Sequence, residues 1–264
     1  MTKLQKIIKY FAIGLAISLI VSIFSLFVSI ISNIFGFKTS DKIDEVVIKE
    51  IKSDILEMDI EIDNAKLTFK TDNVFKIEAN NNIRIKENNK KLVIKEKSSL
   101  FNDNLEEIII YIPNTKKFNI VSIEAGSGNI KIDNLITGGL DLELGAGRFE
   151  SNLLSVSNNA SIDAGAGMVN IMGALINNLD LDMGIGEVVI SGTLTGLNEI
   201  DAGVGKLEVN LNEFINNYNF YIEKGIGDIY INGEEVYNQY NSGTGINRIN
   251  INGGIGRIDI NTLN

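Results

Sequence analysis

Six acidic residues hold the same place relative to a recurring triplet. Glu124, Glu143, Asp163, Asp182, Asp201 and Glu223 each lie two positions before a Gly-x-Gly. The triplets are Gly126-Ser127-Gly128, Gly145-Ala146-Gly147, Gly165-Ala166-Gly167, Gly184-Ile185-Gly186, Gly203-Val204-Gly205 and Gly225-Ile226-Gly227. A seventh, Gly254-Ile255-Gly256, is preceded by Asn252 instead. Two chemistries suit such a series. Oxygen ligands in a row could form a strip for calcium or a polycation. Alternatively, each carboxylate could accept hydrogen bonds from the backbone N–H groups of its own corner.

The composition narrows the rest. The chain of 264 residues contains no Cys and no His. Ser-His-Asp and Cys-His catalysis, disulfides and imidazole-ligated metals are therefore excluded. No cofactor is called for. A dinucleotide fingerprint needs a third glycine and a helix after it, whereas here a strand pattern follows every triplet. Calcium-binding nonapeptide repeats have a much shorter period. Beyond residue 36 the chain carries 21 basic and 34 acidic side chains, a net charge of −13. Such a surface repels phosphates, so nucleic acid is not an expected partner. A cationic ligand or an envelope polymer fits better.

The elements that position the acids follow from the period. Successive triplets are 19, 20, 19, 19, 22 and 29 residues apart. A period near 20 predicts a solenoid whose coils stack on one another. Each coil reads as a short alternating strand, a Gly-x-Gly corner and a second alternating strand. The apolar pairs Ile130/Ile132, Val169/Ile171, Val188/Ile190, Leu207/Val209, Ile229/Ile231 and Ile258/Ile260 should stack inside. The acids should then point outward in a column spaced at about 4.8 Å, where like charges oppose one another.

The expected fold class is all-β: a single-stranded parallel β-solenoid (β-helix) of about 20-residue coils, preceded by one N-terminal transmembrane α-helix. Residues 57–264 form the solenoid. Alternating pairs from Ile60/Ile62 to Leu92/Ile94, and the apolar run Leu105–Ile112 ended by Pro113, read as irregular first coils; a capping meander is the other option. Residues 97–106 read as a loop. The long last interval places about ten extra residues within Gly233–Asn247. These include Glu234, Glu235, Tyr237 and Tyr240, either as an exposed contact loop or as a cap on the last coil's edge.

No charged residue occurs from Tyr10 to Phe37, 28 positions in all. About 20 apolar residues suffice to cross a bilayer. Lys3, Lys6 and Lys9 precede the segment, which keeps residues 1–9 cytoplasmic, uses residues 10–37 as an uncleaved anchor and puts the C-terminal domain outside. Residues 38–56 are charged and mixed and read as a stalk. Within the anchor, Gly14, Ser18, Ser22, Ser25, Ser29, Ser32 and Gly36 fall on one helix face. Such a face allows pairing with itself or with another membrane protein, although serine can also bond its own helix.

The strand–Gly-x-Gly–strand pattern, the Ile108–Pro113 strand and the Ala125-Gly126-Ser127-Gly128 start carry a resemblance. Residues from about 55 to 264 resemble the bacterial "putative adhesin" family of β-solenoid domains of unknown function. Members with one N-terminal transmembrane helix are similar to Lia-type membrane-anchored envelope proteins. The resemblance implies a β-solenoid at the cell envelope and brings no catalytic residues. Three functions follow as expectations. The first is a non-enzymatic binding or scaffold module, in adhesion or envelope stress response. The second is a β-helix enzyme acting on polysaccharide. The third is a passive spacer on a transmembrane helix that pairs with a membrane sensor.

Overall fold

The structure is a computed structural model, and it describes residues 46–97, 106–237 and 239–263. The expected anchor, and with it Gly14, Ser18, Ser22, Ser25, Ser29, Ser32 and Gly36, lies outside the described residues. Among the described residues no helix is long and apolar enough to cross a membrane.

The first strands are β1 (Val46–Glu50), β2 (Glu57–Thr71), β3 (Lys76–Asn80), β4 (Ile83–Asn88), β5 (Lys91–Glu96) and β6 (Glu106–Ile112). Five long strands follow: β7 (Phe118–Ile132), β8 (Leu135–Ser151), β9 (Leu154–Asn177), β10 (Leu179–Thr195) and β11 (Leu197–Phe214). Each pairs in parallel with the next, so each is one coil. The register sets triplet on triplet, as in Gly147 beside Gly167 and Gly186 beside Gly205. The expected aliphatic pairs are all buried, from Ile130 and Ile132 to Ile258 and Ile260.

Gly-x-Gly is needed for two different reasons. The second glycine of every triplet has positive φ, for example +138° at Gly205 and +140° at Gly256. A side chain there is strained. A methyl group on Gly205 would also overlap the carbonyl oxygen of Gly186 in the neighbouring coil. The first glycine fails on packing alone: a methyl on Gly203 would strike the carbonyls of Met183 and Gly184.

Coil order departs from chain order at both ends. The remaining strands are β12 (Tyr218–Glu223), β13 (Ile226–Ile231), β14 (Glu234–Val236), β15 (Tyr240–Ser242), β16 (Asn247–Asn252) and β17 (Ile255–Leu263). The last coil in sequence, β16 and β17, pairs in parallel with β11 on one side and with β12 and β13 on the other. The seventh triplet is therefore inserted between the fifth and the sixth. This accounts for the irregular last two intervals: the chain lays down the outermost coil first and then returns to fill the gap.

The N-terminal end does the same. β2 pairs in parallel with β5 and β6 on one side and with β7 on the other, so the earlier coil lies inside the later one. Asp63-Asn64-Ala65 stands in β2 where the other coils have Gly-x-Gly, with Ala65 opposite Gly128. Asp63 and Asn64 lie within the continuous strand β2.

Antiparallel strands cover both ends. β4 lies on β5, β3 on β6 and β1 on β3. At the other end β15 lies on β12 and β14 on β13. The purely parallel solenoid is corrected in this respect: its open edges, which would otherwise template pairing with another chain, carry short antiparallel caps. The residues expected to be inserted within Gly233–Asn247 supply the C-terminal cap. Large aromatics close the core there: the Tyr218 ring lies 5.6 Å from Phe220, which lies 6.5 Å from Tyr240. Burial pushes the Tyr218 phenol up to about 12. The folded region also begins earlier than residue 57, since β1 is paired and Ile51 and Ile55 are buried.

Replacing Gly205 with Ala should destabilise the protein by about 2–4 kcal/mol in urea melts, through clash and strain together. Gly233→Ala, with open space around its α-carbon, should cost about 1 kcal/mol, since only φ is at issue.

Candidate functional site

Alternation within each strand turns the six expected acids outward, and all six are exposed. The coil register then makes one continuous row. It runs Glu61, Glu124, Glu143, Asp163, Asp182, Asp201, Asn252, Glu223, with one residue from each coil. Glu61 joins the series although no glycine triplet marks it. Asn252, the exception in sequence order, sits between Asp201 and Glu223. Its amide donates to Asp201 Oδ1. An amide at that point turns one repulsion into a hydrogen bond.

The row is relieved mainly at its ends. Lys95 lies beside Glu61 in register and forms an ion pair with it. At the far end the Tyr221 hydroxyl donates to Glu223 Oε1 over 2.8 Å. Among the described residues, no hydrogen bond joins a row carboxylate to the backbone of its own corner. Partners come from other coils or from the same strand, so the own-corner expectation is not met. One corner does receive such a cap from elsewhere: Glu96 Oε2 accepts the N–H groups of Asp63 and Asn64 at 2.8 and 3.1 Å. This occurs at the coil that lacks the glycines.

The middle of the row is its strained part. The Asp182 carboxyl is held above the ordinary carboxylate range, first by desolvation between the flanking coils and then by the charge of Asp201. The carboxylates of Glu61, Asp63, Glu124, Glu143 and Asp163 line an open depression of about 340 Å³. Among the described residues no group of carboxylates is placed to hold a metal ion.

The neighbouring rows are built differently. Two positions earlier the row reads Asp59, Ser122, Asp141, Ser161, Asp180, Glu199, Asn250, Tyr221. Here Ser separates the first three acids, and Lys91 pairs with Asp59 at 2.7 Å. Beyond the corner, opposite charges face each other. Lys206 pairs with Glu208 at 2.6 Å and with Glu187 at 3.4 Å, and Arg257 pairs with Asp259 at 2.6 Å. Asp180 and Glu199 still lie side by side in the earlier row, so both rows before the corner keep uncompensated acids among the described residues, and the Glu61-to-Glu223 row has the most.

Two surface features were not anticipated. The middle residues of four adjacent triplets, Ile185, Val204, Ile255 and Ile226, form an exposed aliphatic ridge beside the acids. At the C-terminal end, Asn219, Tyr221, Asn241, Arg248 and Asn250 line a second open depression of about 340 Å³. Their separation in sequence, and the out-of-order last coil, hide this grouping from any periodic reading. Of the two expected tyrosines, Tyr237 is exposed whereas Tyr240 packs toward the core.

A pH dependence follows from Asp182. A pKa raised by folding means that the folded chain binds the extra proton. The carboxylate therefore destabilises the fold in full above the raised pKa, and ceases to do so below the ordinary carboxylate value. Asp182→Asn should raise the melting temperature at pH 7, and the gain should shrink as the pH falls through the carboxylate range. A lower melting temperature at pH 7 would show that the charge itself is required.

No curated protein matches the chain. Among solved structures, it is similar to a "putative cell adhesion protein" from Clostridium sporogenes ATCC 15579, at 20% identity over 83% of this chain and 99% of that one, with a TM-score of 0.37. It is similar to a "putative adhesin" from Bacteroides fragilis NCTC 9343, at 15% identity over 82% and 97%, with a TM-score of 0.41. A "putative lipid binding protein" from Parabacteroides distasonis ATCC 8503 is 15% identical over 83% and 97%, with a TM-score of 0.28. A family model described as Toastrack DUF4097 matches residues 38–243, more than three quarters of the chain. The stacked, laddered domain described above belongs to the Toastrack DUF4097 family.

Proposed function

We infer that this protein is a membrane-anchored, extracytoplasmic binding or scaffold module of the bacterial cell envelope, and that it is not an enzyme. The observation that carries this reading is the character of the rows. The solenoid presents long, regular, shallow columns of side chains, each set by the coil register. Such surfaces suit contact with an extended partner, because successive coils repeat the same contact. An enzyme on a β-helix would be favoured by Asp, Lys and Arg gathered beside a groove. The gathering of Lys206 and Arg257 with Glu208 and Asp259 uses its charges on itself. The acidic row is the surface toward which a cationic ligand would be drawn.

The anchor supports the location. Its uncharged length and its preceding lysines suit one span with the N-terminus inside. Its small-residue face suits pairing with itself or with another membrane protein.

In cell fractionation the full chain should stay with membranes after an alkaline wash, and external protease should digest its C-terminal part in intact cells. A chain lacking residues 1–37 should be released. Recovery of the full chain in the soluble fraction would overturn the anchored reading. Crosslinking in intact cells should trap envelope components, and only background capture would count against a binding role. In a membrane two-hybrid assay, replacing Ser22, Ser25 and Ser29 with Leu should abolish association of the helix; unchanged association would exclude the small-residue seam.

A further inference from the structure

Where β16, β12 and β15 lie side by side, their outward residues change in chemistry. Farther along the solenoid the row of Asn250 and Tyr221 carries the acids Asp180 and Glu199. At this end the three strands present amides, an aromatic ring and a guanidinium. Alternation in β16 turns Arg248 and Asn250 outward between the buried Ile249 and Ile251. In β12 it turns Asn219 and Tyr221 outward between Tyr218, Phe220 and Ile222. In β15, Asn241 faces out while Tyr240 packs toward the core. The register sets Asn219 beside Arg248, and Tyr221 between Asn250 and Asn241. Three strands at about 4.8 Å spacing make this a patch about 10 Å wide, the breadth of one or two sugar rings.

These side chains hold unspent hydrogen-bonding capacity. Among the described residues, the amides of Asn219, Asn241 and Asn250 and the guanidinium of Arg248 have no hydrogen-bond or ion-pair partner. Several outward asparagines elsewhere on the solenoid are committed. Asn177 and Asn178 donate to the carbonyl of Asn158, Asn210 donates to Ser191 Oγ, and Asn261 donates to Asn210. The Tyr221 ring is held in place by the bond its hydroxyl donates to Glu223 over 2.8 Å, and the residue remains partly exposed.

We propose that this patch is a binding site for a neutral pyranose saccharide. A pyranose ring presents a face of C–H groups to an aromatic ring and a rim of hydroxyls to planar amides. Three amides supply donors and acceptors together, and the Arg248 fork donates to two adjacent hydroxyl oxygens. A few polar groups converging beside one aromatic is the composition expected of a small-molecule site. Neutrality follows from the neighbours: Glu199 lies beside Asn250 in register and Glu223 beside Asn252, and both would repel an anionic sugar. The proposal rests on the binding-module reading and names a ligand class for it.

The test is titration of the purified full-length chain in detergent with maltotriose, cellotriose, chitotriose and mannotriose, and with a glucuronate-containing tetrasaccharide, followed by calorimetry. At least one neutral trisaccharide should bind saturably. Tyr221→Ala and Arg248→Ala should each weaken it by at least about tenfold. Tyr221→Phe, which keeps the ring, should stay within about threefold, and Lys131→Ala on another face should bind as the parent does. Unchanged melting temperatures for the variants exclude misfolding as the cause. The proposal is overturned if no neutral trisaccharide binds up to about 10 mM, if only the glucuronate compound binds, or if binding survives both alanine substitutions. Failure here leaves the in-cell crosslinking result untouched, so the site and the broader binding role fail separately.

Discussion

The rest of the domain depends on how closely one backbone passes another at the Gly-x-Gly corners. There the carbonyl of one coil lies where the next coil's side chain would have to be, as Gly186 does against Gly205. Removing the side chain lets the parallel ladder continue through the bend instead of splaying apart. Because a one-residue slip would turn every core aliphatic outward, the glycine stack and the aliphatic columns enforce the same register. Each coil buries little by itself, and its stability comes from its neighbours.

That register decides which charges meet. The two rows beyond the corner neutralise each other through pairs such as Lys206 with Glu208 and Arg257 with Asp259. The acidic row before the corner is not neutralised in this way. It carries seven acids in eight coils, with Lys95 at one end and Asn252 near the other. Desolvation first, and then the charge of Asp201, raises the pKa of Asp182 in the middle of that row. A fold that is crowded with charge at one face and balanced at another is electrostatically polar. Where Asp180 and Glu199 give way to Asn250 and Tyr221, the uncommitted amides of β12, β15 and β16 begin.

Much of this architecture is legible in the chain. The triplet period marks the coils, and alternation about each corner separates Ile258 and Ile260, inside, from Arg257 and Asp259, outside. Spatial order was not legible, because the seventh triplet looks like its six predecessors whether it stacks last or is inserted. Only the irregular intervals of 22 and 29 residues hint at insertion. Glu61 escaped notice because Asp63-Asn64-Ala65 replaces the glycines at its corner, next to the coil where the Glu96 carboxylate substitutes for a backbone partner. β1 lies within a stretch of mixed charge, and its apolar residues Val46, Val47 and Ile48 stay exposed, so no alternation marks it. The amide patch draws on residues 219–250 through two kinds of pairing, parallel and antiparallel, which no single periodicity describes.

The central claim, that register inserts the last coil between β11 and β12, can be tested with the chain's own lack of cysteine. Two double variants are needed, Asp201→Cys with Asn252→Cys, and Asp201→Cys with Glu223→Cys. Facing residues on adjacent parallel coils lie about 5 Å apart, within disulfide reach, whereas residues two coils apart lie at about 10 Å. Mild oxidation should close the 201–252 disulfide and leave the 201–223 pair reduced. Closure of 201–223 with 252 unreactive toward 201 would mean that the coils stack in chain order, and would contradict this account.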